Sequence, residues 1–347
     1  MRPPDQLAYL LSQTARMAWF ASHYLATKRL DRSAAPSKER PAAKRRRRFN
    51  ATRWALINGA LNLIRLDAAN IRAQRYCLPR DLVPNPFEAA KDVLRYYRDL
   101  PRARARRLAQ STQEVSSLSD DGNYPDYYLQ NFHYQTDGYL SHHSAELYDF
   151  QVEVLFTGTA DAMRRQALPP IGEVLGQAQR EGNRLLDVAC GTGGFLATVQ
   201  HCWPTLGLTG LDISQPYLER AKSRTSKSVE YVKANAENMP LQDGSADIVT
   251  CIYLLHELPR DARSHVIREI ARVLRPGGRL IVTDSLQLGD TPALDPVLRG
   301  FPETFHEPYY NDYLEQDIKG LLGEADFSAI RAQPAYLSKV FVADKPR

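Results

Sequence analysis

The stretch L-L-D-V-A-C-G-T-G-G, residues 185–194, decides the fold of this 347-residue chain. Four of its first five residues are apolar and predict a buried strand, and the glycines that follow predict a tight turn into a helix. Glycines in such a turn let a ligand approach the main chain, and the start of a helix offers unpaired N–H donors. The stretch therefore predicts a strand, a turn and a helix arranged to hold a small ligand.

Short apolar strands separated by helices continue from this stretch to the C-terminus. The strands are predicted at Arg184–Ala189, Thr209–Ile213, Val229–Lys233, Ile248–Tyr253 and Arg279–Asp284, with helices near 194–201, 215–226 and 260–274. Strands that alternate with helices indicate a parallel sheet. Ala329–Gln333 and Lys339–Ala343, separated by Pro334 and a few residues, are expected to pair as a terminal hairpin, which would make the sheet mixed.

An acidic residue, Asp212, ends the second strand, 19 residues beyond Gly193. Doubly wound folds carry a ribose-binding carboxylate at about this distance from the glycine turn. The turn itself reads A-x-G-x-G-G, whereas the fingerprint of dinucleotide-binding dehydrogenases is G-x-G-x-x-G. The pattern favours a ribose-containing ligand and argues against a nicotinamide dehydrogenase.

Five motifs follow one another in a characteristic order. They are D-V-A-C-G-T-G-G, G-L-D-I-S, A-N-A-E-N-M-P, A-D-I-V-T-C-I-Y-L-L-H-E-L and R-V-L-R-P-G-G-R-L-I-V-T-D. On these motifs the chain from about residue 180 to 347 resembles the class I S-adenosylmethionine-dependent methyltransferases, most of all the small-molecule C-methyltransferases of quinone biosynthesis. The resemblance implies an α/β, Rossmann-like, seven-stranded mixed sheet with helices on both faces, here preceded by a basic helical N-terminal region. It also implies a methyltransferase enzyme with S-adenosyl-L-methionine as its cofactor.

The resemblance also assigns cofactor contacts. Asp187 and the backbone of the glycine turn would hold the methionine moiety, Asp212 would accept from both ribose hydroxyls, and Ile213 would pack on adenine. Asn235 stands where relatives commonly have Asp, and Ala189 stands where Gly is more frequent. The full predicted set is Asp187, Ala189, Gly191, Gly193, Asp212, Ile213, Asn235, Ala236, Glu237 and Tyr253.

Two histidines are predicted to remove a proton from the methyl acceptor. Because the sulfonium of the cofactor already supplies an activated methyl group, the protein has to exclude water, align the acceptor and, where needed, take its proton. His256 follows the fourth strand in L-L-H-E-L and is the leading general base, since an imidazole with an ordinary pKa of about 6.5 is largely neutral at pH 7. His133 is the second candidate. A loop-orienting role for His256 is the alternative.

Two clusters rich in aromatic residues, 124–139 and 301–310, are expected to cover the substrate. In related small-molecule methyltransferases these two regions form the substrate cover. They predict a partly apolar, aromatic-lined pocket for a hydrophobic or lipid-like small molecule. No N/D-P-P-Y segment follows the fourth strand, which argues against methylation of amino groups of DNA bases. The predicted substrate contacts are Tyr134, Tyr139, His306, Tyr309 and Tyr310.

Charge divides the chain into two parts, since residues 1–110 hold 24 Lys and Arg against 8 Asp and Glu, and the remainder holds 21 against 32. The first part is predicted to be a basic helical arm, with helices over 5–30, from about Trp54 to Pro79 and from Pro86 to an interruption at Pro101, and a mobile linker at 31–48. An aromatic cover is expected over 111–180 and the methyltransferase domain over 181–347, with an insertion at 286–323. The arm is expected to bind an anionic membrane surface and to be dispensable for cofactor binding.

Other interpretations remain open at this stage. The arginine runs are compatible with a nucleic-acid methyltransferase or binder, although nucleic acid is not the favoured partner, and a non-catalytic cofactor-binding scaffold is a third class. The four cysteines form no C-x-x-C pair, so neither a metal site nor a disulfide framework is expected. A reducing, cytoplasmic location follows, with access to the inner face of a membrane but without a spanning helix or signal peptide. The oligomeric state is not predicted.

Overall fold

The computed structural model describes residues 3–32, 43–80, 82, 85–115, 124–177 and 182–347. Seven strands form one sheet: β1 (Arg184–Val188), β2 (Gly207–Asp212), β3 (Glu230–Lys233), β4 (Ala246–Ile252), β5 (Leu274–Ser285), β6 (Ser328–Ala335) and β7 (Ser338–Asp344). The order across the sheet is β3-β2-β1-β4-β5-β7-β6, and β7 runs antiparallel to both of its neighbours. The predicted fold class and the terminal hairpin are confirmed.

Twelve helices are present in the described residues. They are α1 (Pro3–Arg32), α2 (Ala43–Arg72), α3 (Pro86–Ala109), α4 (His142–Leu155), α5 (Ala160–Arg164), α6 (Leu168–Gln177), α7 (Gly194–Cys202), α8 (Gln215–Arg224), α9 (Arg260–Val273), α10 (Asp295–Thr304), α11 (Tyr310–Glu315) and α12 (Ile318–Glu324). Single 3-10 turns at Asp126–Tyr128, Phe132–Tyr134, Arg165–Ala167 and Leu255–Glu257 connect several of them.

The sheet has an apolar core on each face. Side chains of a strand alternate between the two faces, so Leu185 belongs to one cluster and Leu186 to the other. Within the register, Val188 at the end of β1 lies beside Leu211 of β2 and Cys251 of β4. The carboxyl ends of these three central strands therefore meet at one edge, which is where open α/β sheets bind ligands.

The N-terminal helices belong to the same packed unit as the sheet. Tyr9 of α1 and Leu63 of α2 lie in the apolar cluster that also contains Leu185. Asp67 of α2 is fully buried and pairs with Arg165, whose Nη2 lies 2.6 Å from Oδ2. The predicted division between a basic arm and a methyltransferase domain does not separate two packed units, because charge does not reveal which apolar faces pack together.

The boundaries of the basic region also differ from the prediction. The expected linker at 31–48 is partly helical, since α1 continues to Arg32 and α2 begins at Ala43; residues 33–42 lie outside the described residues. The second helix ends at Arg72 rather than at Pro79. Pro101 does not interrupt α3, which continues to Ala109. A proline removes one backbone N–H donor, and a long helix with other contacts tolerates the loss of that hydrogen bond.

A disulfide bond joins Cys77, beyond the end of α2, to Cys202, the last residue of α7. The prediction that the cysteines are unpaired is wrong for this pair, whereas Cys190 and Cys251 are free and buried. The two half-cystines are 125 residues apart in sequence, so their spacing carried no signal. None of the described helices combines the length and the apolar character needed to cross a bilayer.

Candidate active site

The glycine turn adopts backbone conformations that side chains disfavour. Ala189, Gly191 and Gly193 have φ of 57°, 54° and 74°, in the left-handed region. A Cβ added to Gly193 would lie 2.7 Å from Cβ of Ala221 in α8, whereas a Cβ on Gly191 would meet nothing within 4 Å. Gly193 is therefore required for the close packing of α7 on α8, and Gly191 leaves the main chain open to a ligand. Ala189 holds the same conformation with a side chain, which costs on the order of 1 kcal/mol.

Asp212 stands at the end of β2 with its carboxylate held by the neighbouring loops. Oδ2 accepts from the Gly191 N–H and Oδ1 accepts from the Ser214 N–H, both at 2.8 Å. Burial raises the pKa of Asp212 to about 6, although these backbone donors oppose the rise. Each oxygen keeps a lone pair for a further donor, so the carboxylate can still accept from two adjacent hydroxyls.

Asp187 lies at the neighbouring strand end and is fully buried. Its Oδ1 accepts from the Thr250 hydroxyl at 2.6 Å across the β1–β4 pair. Burial raises the pKa of Asp187 to about 7, and the Asp212 charge adds to the rise. Buried carboxylates with raised pKa values are common at functional sites, so Asp187 and Asp212 are candidates for one.

A cavity of about 110 Å³, here called the strand-tip cavity, opens between the ends of β1, β2 and β4. Most of the predicted cofactor residues line it. Glu237 does not, because its carboxylate is held by Tyr127 at 2.6 Å and His265 at 3.0 Å. Asn235 lines the cavity, but its side-chain oxygen accepts from the Glu237 N–H and so also shapes the turn. The predicted residues that line this cavity are Ala189, Gly191, Asp212, Ile213, Asn235, Ala236 and Tyr253.

A larger cavity of about 730 Å³, the glycine-turn cavity, lies on the other side of Gly191 and includes Asp187. Arg164 and Arg224 bring positive charge to its wall. Arg164 sits over the Tyr253 ring, 5.6 Å from the centroid, and donates to Asp161 at 2.9 Å. A guanidinium beside the glycine turn suits a carboxylate ligand.

A third cavity of about 210 Å³, the helix-roofed cavity, is lined mainly by aromatic and aliphatic side chains. Its wall shares Tyr148 and Tyr253 with both other cavities. Helices α1 and α3 of the basic N-terminal region contribute residues to this wall. These are Tyr24, Thr27, Lys28 and Asp31 from α1 and Tyr96, Leu100, Ala103, Arg104 and Arg107 from α3.

The predicted substrate contacts divide between different surroundings. Tyr134 and Tyr310 line the helix-roofed cavity, as expected. Tyr139 lines the strand-tip cavity instead and donates to Glu257 at 2.6 Å. His306 and Tyr309 line neither cavity: His306 bonds Gln130 Oε1 at 2.7 Å, and the Tyr309 ring packs edge-on against Tyr127. The last two residues hold the cover segments together, a role that sequence cannot separate from substrate contact.

His256 lines the helix-roofed cavity, but its environment differs from the expected one. Nδ1 lies 2.6 Å from Oδ1 of the fully buried Asp284. Burial lowers the pKa of His256, and the Asp284 carboxylate more than reverses this effect, so the pKa rises to about 10. The neutral imidazole expected at pH 7 is therefore not favoured. The sequence did not predict this result, because Asp284 belongs to a different segment, β5. The arrangement instead fixes Nε2 as a polar group at the cavity wall.

His133 also lines this cavity, close to two glutamates. Its Nε2 lies 3.0 Å from Glu307 Oε1 and 3.6 Å from Glu257 Oε1. Burial lowers the pKa of His133, and the two carboxylates outweigh burial and raise it. Burial raises the pKa of Glu307 to about 7. The two predicted histidines thus reach one cavity from opposite segments of the chain.

Sequence reasoning missed several residues of the site. Glu257 was visible in the L-L-H-E-L motif, and Glu307 follows His306 in the second aromatic cluster, but neither was singled out. Arg164 and Tyr148 lie in α5 and α4, outside every recognised motif, and Asp284 ends a buried strand. A local signal existed only for the two glutamates.

Comparison with known proteins agrees with this geometry. Residues 186–282 match the family model described as a methyltransferase domain. Residues 186–282 are therefore similar to a methyltransferase domain, and the sheet order and the glycine turn agree with the class I S-adenosylmethionine-dependent methyltransferases. S-adenosylmethionine is the cofactor of this class.

Individual relatives are small-molecule methyltransferases. The chain is 39% identical over 121 residues to the 27-O-demethylrifamycin SV methyltransferase of Amycolatopsis mediterranei, covering 33% of this chain and 43% of the relative. It is 33% identical over 139 residues to a ubiquinone/menaquinone biosynthesis C-methyltransferase of Desulfotalea psychrophila, covering 40% and 53%. A solved methyltransferase from Methanosarcina mazei is 21% identical with a TM-score of 0.40, covering 50% and 97%. The chain spans about half the length of the curated relatives it matches.

Proposed function

We propose that this protein transfers a methyl group from S-adenosylmethionine to a small hydrophobic or lipid-like acceptor. The main support for this proposal is that all three cavities share Tyr148 and Tyr253 in their walls. The strand-tip cavity suits the adenosine part of the cofactor, with Asp212 facing the ribose. The glycine-turn cavity suits the methionine part, with Arg164 facing its carboxylate. The helix-roofed cavity then receives the acceptor next to the methyl group.

The reaction requires little covalent chemistry from the protein itself. The sulfur–methyl bond breaks while a bond forms between the methyl carbon and an oxygen or carbon of the acceptor, and the acceptor releases one proton, which passes to bulk water. The aromatic walls exclude water, and the shared wall at Tyr148 and Tyr253 sets the approach. His256, oriented by Asp284, presents Nε2 to a polar atom of the acceptor and stabilises negative charge that develops there. In this proposal His256 acts as a hydrogen-bond donor rather than as the predicted general base.

The cavity also supports the proposed acceptor class. A volume of about 210 Å³ holds one small ring system or the reactive end of a longer molecule. Phe301 and Phe305 from α10 and Leu337 contribute apolar surface to its wall. Relatives named for rifamycin and quinone methylation act on acceptors of this general kind.

Transfer is tested with the full chain, labelled S-adenosylmethionine and separate lipid, polar-metabolite and RNA extracts. We expect label in an organic-soluble product, and weaker labelling by Phe301→Ala, which enlarges the cavity. Phe87→Ala, a change at an aromatic that is 80% exposed at the start of α3, serves as the matched control and should label as the wild type does.

Two other outcomes would contradict the proposal. Label in the RNA fraction alone would identify the nucleic-acid class. Tight cofactor binding with no label in any fraction would identify a binding scaffold.

A second, finer proposal is that the N-terminal helices bring the cavity to an anionic membrane surface. Trp54, Ile57 and Leu61 share one face of α2, yet Trp54 is 64% exposed. Further along the same face, Ile64 and Ile71 are buried. The apolar face is therefore packed only in its C-terminal half, and the exposed half follows the basic run 44–48 in sequence. An apolar face beside basic residues is suited to anionic headgroups.

The first helix supports the same proposal. Leu7, Leu11 and Leu25 recur at roughly helical spacing in α1, and all three are exposed. The helix instead buries Tyr9 and Phe20 against the rest of the fold. Because α1 also lines the helix-roofed cavity, a surface bound by α1 and α2 would deliver a lipid-like acceptor close to the cavity entrance.

Membrane binding is tested by flotation with vesicles of phosphatidylcholine alone or with phosphatidylserine, at one moderate salt concentration. We expect the wild type to float with the anionic vesicles and the double variant Trp54→Ser, Leu61→Ser to remain in solution. Phe87→Ser is the matched control. Deleting residues 1–110 would not be a clean test, because the deletion removes part of the core. Equal flotation of the double variant and the wild type would overturn this proposal, and a shift of nucleic acid at the same salt would favour the alternative partner.

A further inference from the structure

The contact between His133 and the second aromatic cluster brings together three potential metal ligands. The His133 N–H donates to the carbonyl of His306 at 3.1 Å, which fixes the Phe132–Tyr134 turn against the segment that contains Glu307. Glu257 reaches the same point from the end of β4. The ligating atoms of His133, Glu257 and Glu307 all lie within 4.8 Å of one another.

Glu307 carries the argument because it is buried without an adequate partner. The residue is 3% exposed, and neither carboxylate oxygen accepts a hydrogen bond from any described residue. His133 Nε2 is near Oε1, at 3.0 Å, but not in line for a hydrogen bond. A buried carboxylate without donors is costly, so it must either take up a proton or meet a cation.

The spacing fits one metal ion better than a simple ion pair. Ligands at about 2.1 Å from a six-coordinate ion are about 3.0 Å apart when adjacent and about 4.2 Å apart when opposite. The distances from His133 Nε2 to the two carboxylates are 3.0 and 3.6 Å, and the largest separation in the set is below 4.8 Å. Small side-chain movements would therefore suffice for coordination.

We propose that His133, Glu257 and Glu307 bind one divalent first-row transition-metal ion in the wall of the helix-roofed cavity. One imidazole with two carboxylates suits Mn²⁺, Fe²⁺ or Zn²⁺ better than Mg²⁺, which prefers oxygen alone. Tyr139 donates to Glu257 Oε1 at 2.6 Å and holds that ligand from behind. His133 Nδ1 has no hydrogen-bond partner in the described part of the chain, so no contact there prevents Nε2 from ligating.

The proposed ion would face the acceptor. His133 and Glu257 line the cavity and Glu307 lies behind them, so the remaining coordination positions open into it. An oxygen of the acceptor bound there would be held near the shared wall at Tyr253, and its proton would be lost more easily. The sequence predicted no metal, because the three ligands come from segments that are far apart in the chain and lack a recognised spacing.

The test uses the full chain, purified in chelator and dialysed against Mn²⁺, with free ion measured by electron paramagnetic resonance. We expect one bound Mn²⁺ per chain and a nitrogen coupling from His133 in the pulsed spectrum. Glu307→Gln should weaken binding by at least about 10-fold, and His133→Gln should remove the nitrogen coupling. Glu153→Gln is the matched control, since Glu153 is an equally buried glutamate that pairs with Arg16 outside the cluster.

The readout requires neither acceptor nor turnover, so it is independent of the proposed methyl transfer. Near-ultraviolet circular dichroism checks that each variant is folded, and Glu257→Gln replaces Glu307→Gln if the latter does not fold. Wild-type protein that binds none of Mn²⁺, Zn²⁺ or Co²⁺ at millimolar concentration would overturn the proposal. So would binding that survives all three ligand substitutions.

Discussion

Replacing Asp212 by Ala should weaken cofactor binding while leaving the sheet intact. Its carboxylate stands at the end of β2 beside the strand-tip cavity, where it would accept hydrogen bonds from the ribose hydroxyls. Loss of these charge-assisted hydrogen bonds costs on the order of 1.5–3 kcal/mol, which corresponds to an increase in Kd of about 10- to 150-fold. The measurement is isothermal titration of the full chain with S-adenosylhomocysteine.

A control variant is needed because the Asp212 carboxylate also stabilises the neighbouring loops. Asp212 also accepts from the backbone N–H groups of Gly191 and Ser214, so the Ala variant loses some local order. Asp247 has a comparable duty at the opposite end of the sheet, where it accepts from the Arg184 N–H at 2.8 Å. Asp247→Ala should lower the midpoint of thermal unfolding without changing the affinity for S-adenosylhomocysteine. An Asp212→Ala protein that is folded and binds with wild-type affinity would refute the ribose assignment.

Three further predictions follow from individual contacts. Burial raises the pKa of Asp187 to about 7 and that of Asp212 to about 6, so affinity for S-adenosylhomocysteine should fall as the pH is lowered from 8 to 5. The ligand-free protein should gain stability over the same range, because both folded-state pKa values exceed the unfolded-state value. Calorimetry measures the first trend and thermal unfolding measures the second. His256→Ala, which removes the proposed hydrogen-bond donor, should reduce turnover by about 10²–10³-fold with unchanged cofactor affinity, and wild-type turnover would exclude a role for the imidazole. The double variant Cys77→Ala, Cys202→Ala should lose about 2–5 kcal/mol of unfolding free energy in denaturant titrations under oxidising conditions, and an equal value for both proteins would show that the bond does not form.

The alternation of strands with helices and the cofactor side of the site were within reach of sequence. Alternation of apolar strands with helices is a local property, and the glycine turn and Asp212 follow their strands directly in the chain. Once the central strands are parallel and adjacent, their carboxyl ends have to meet. The positions of Ala189, Gly191 and Asp212 around one cavity could therefore be predicted without coordinates.

The acceptor side of the site was decided by tertiary structure alone. His133 and Glu307 are far apart in the sequence, and no periodic pattern predicts that they meet. Asp284, which lies in β5, pairs with His256 and raises its pKa. Helical spacing shows that a helix has an apolar face but not what covers it, and Leu11 on α1 is exposed. Local sequence determines the individual strands and the glycine turn, because residues close together in the chain form them. Only packing determines which distant residues share a cavity, because those contacts depend on the whole fold.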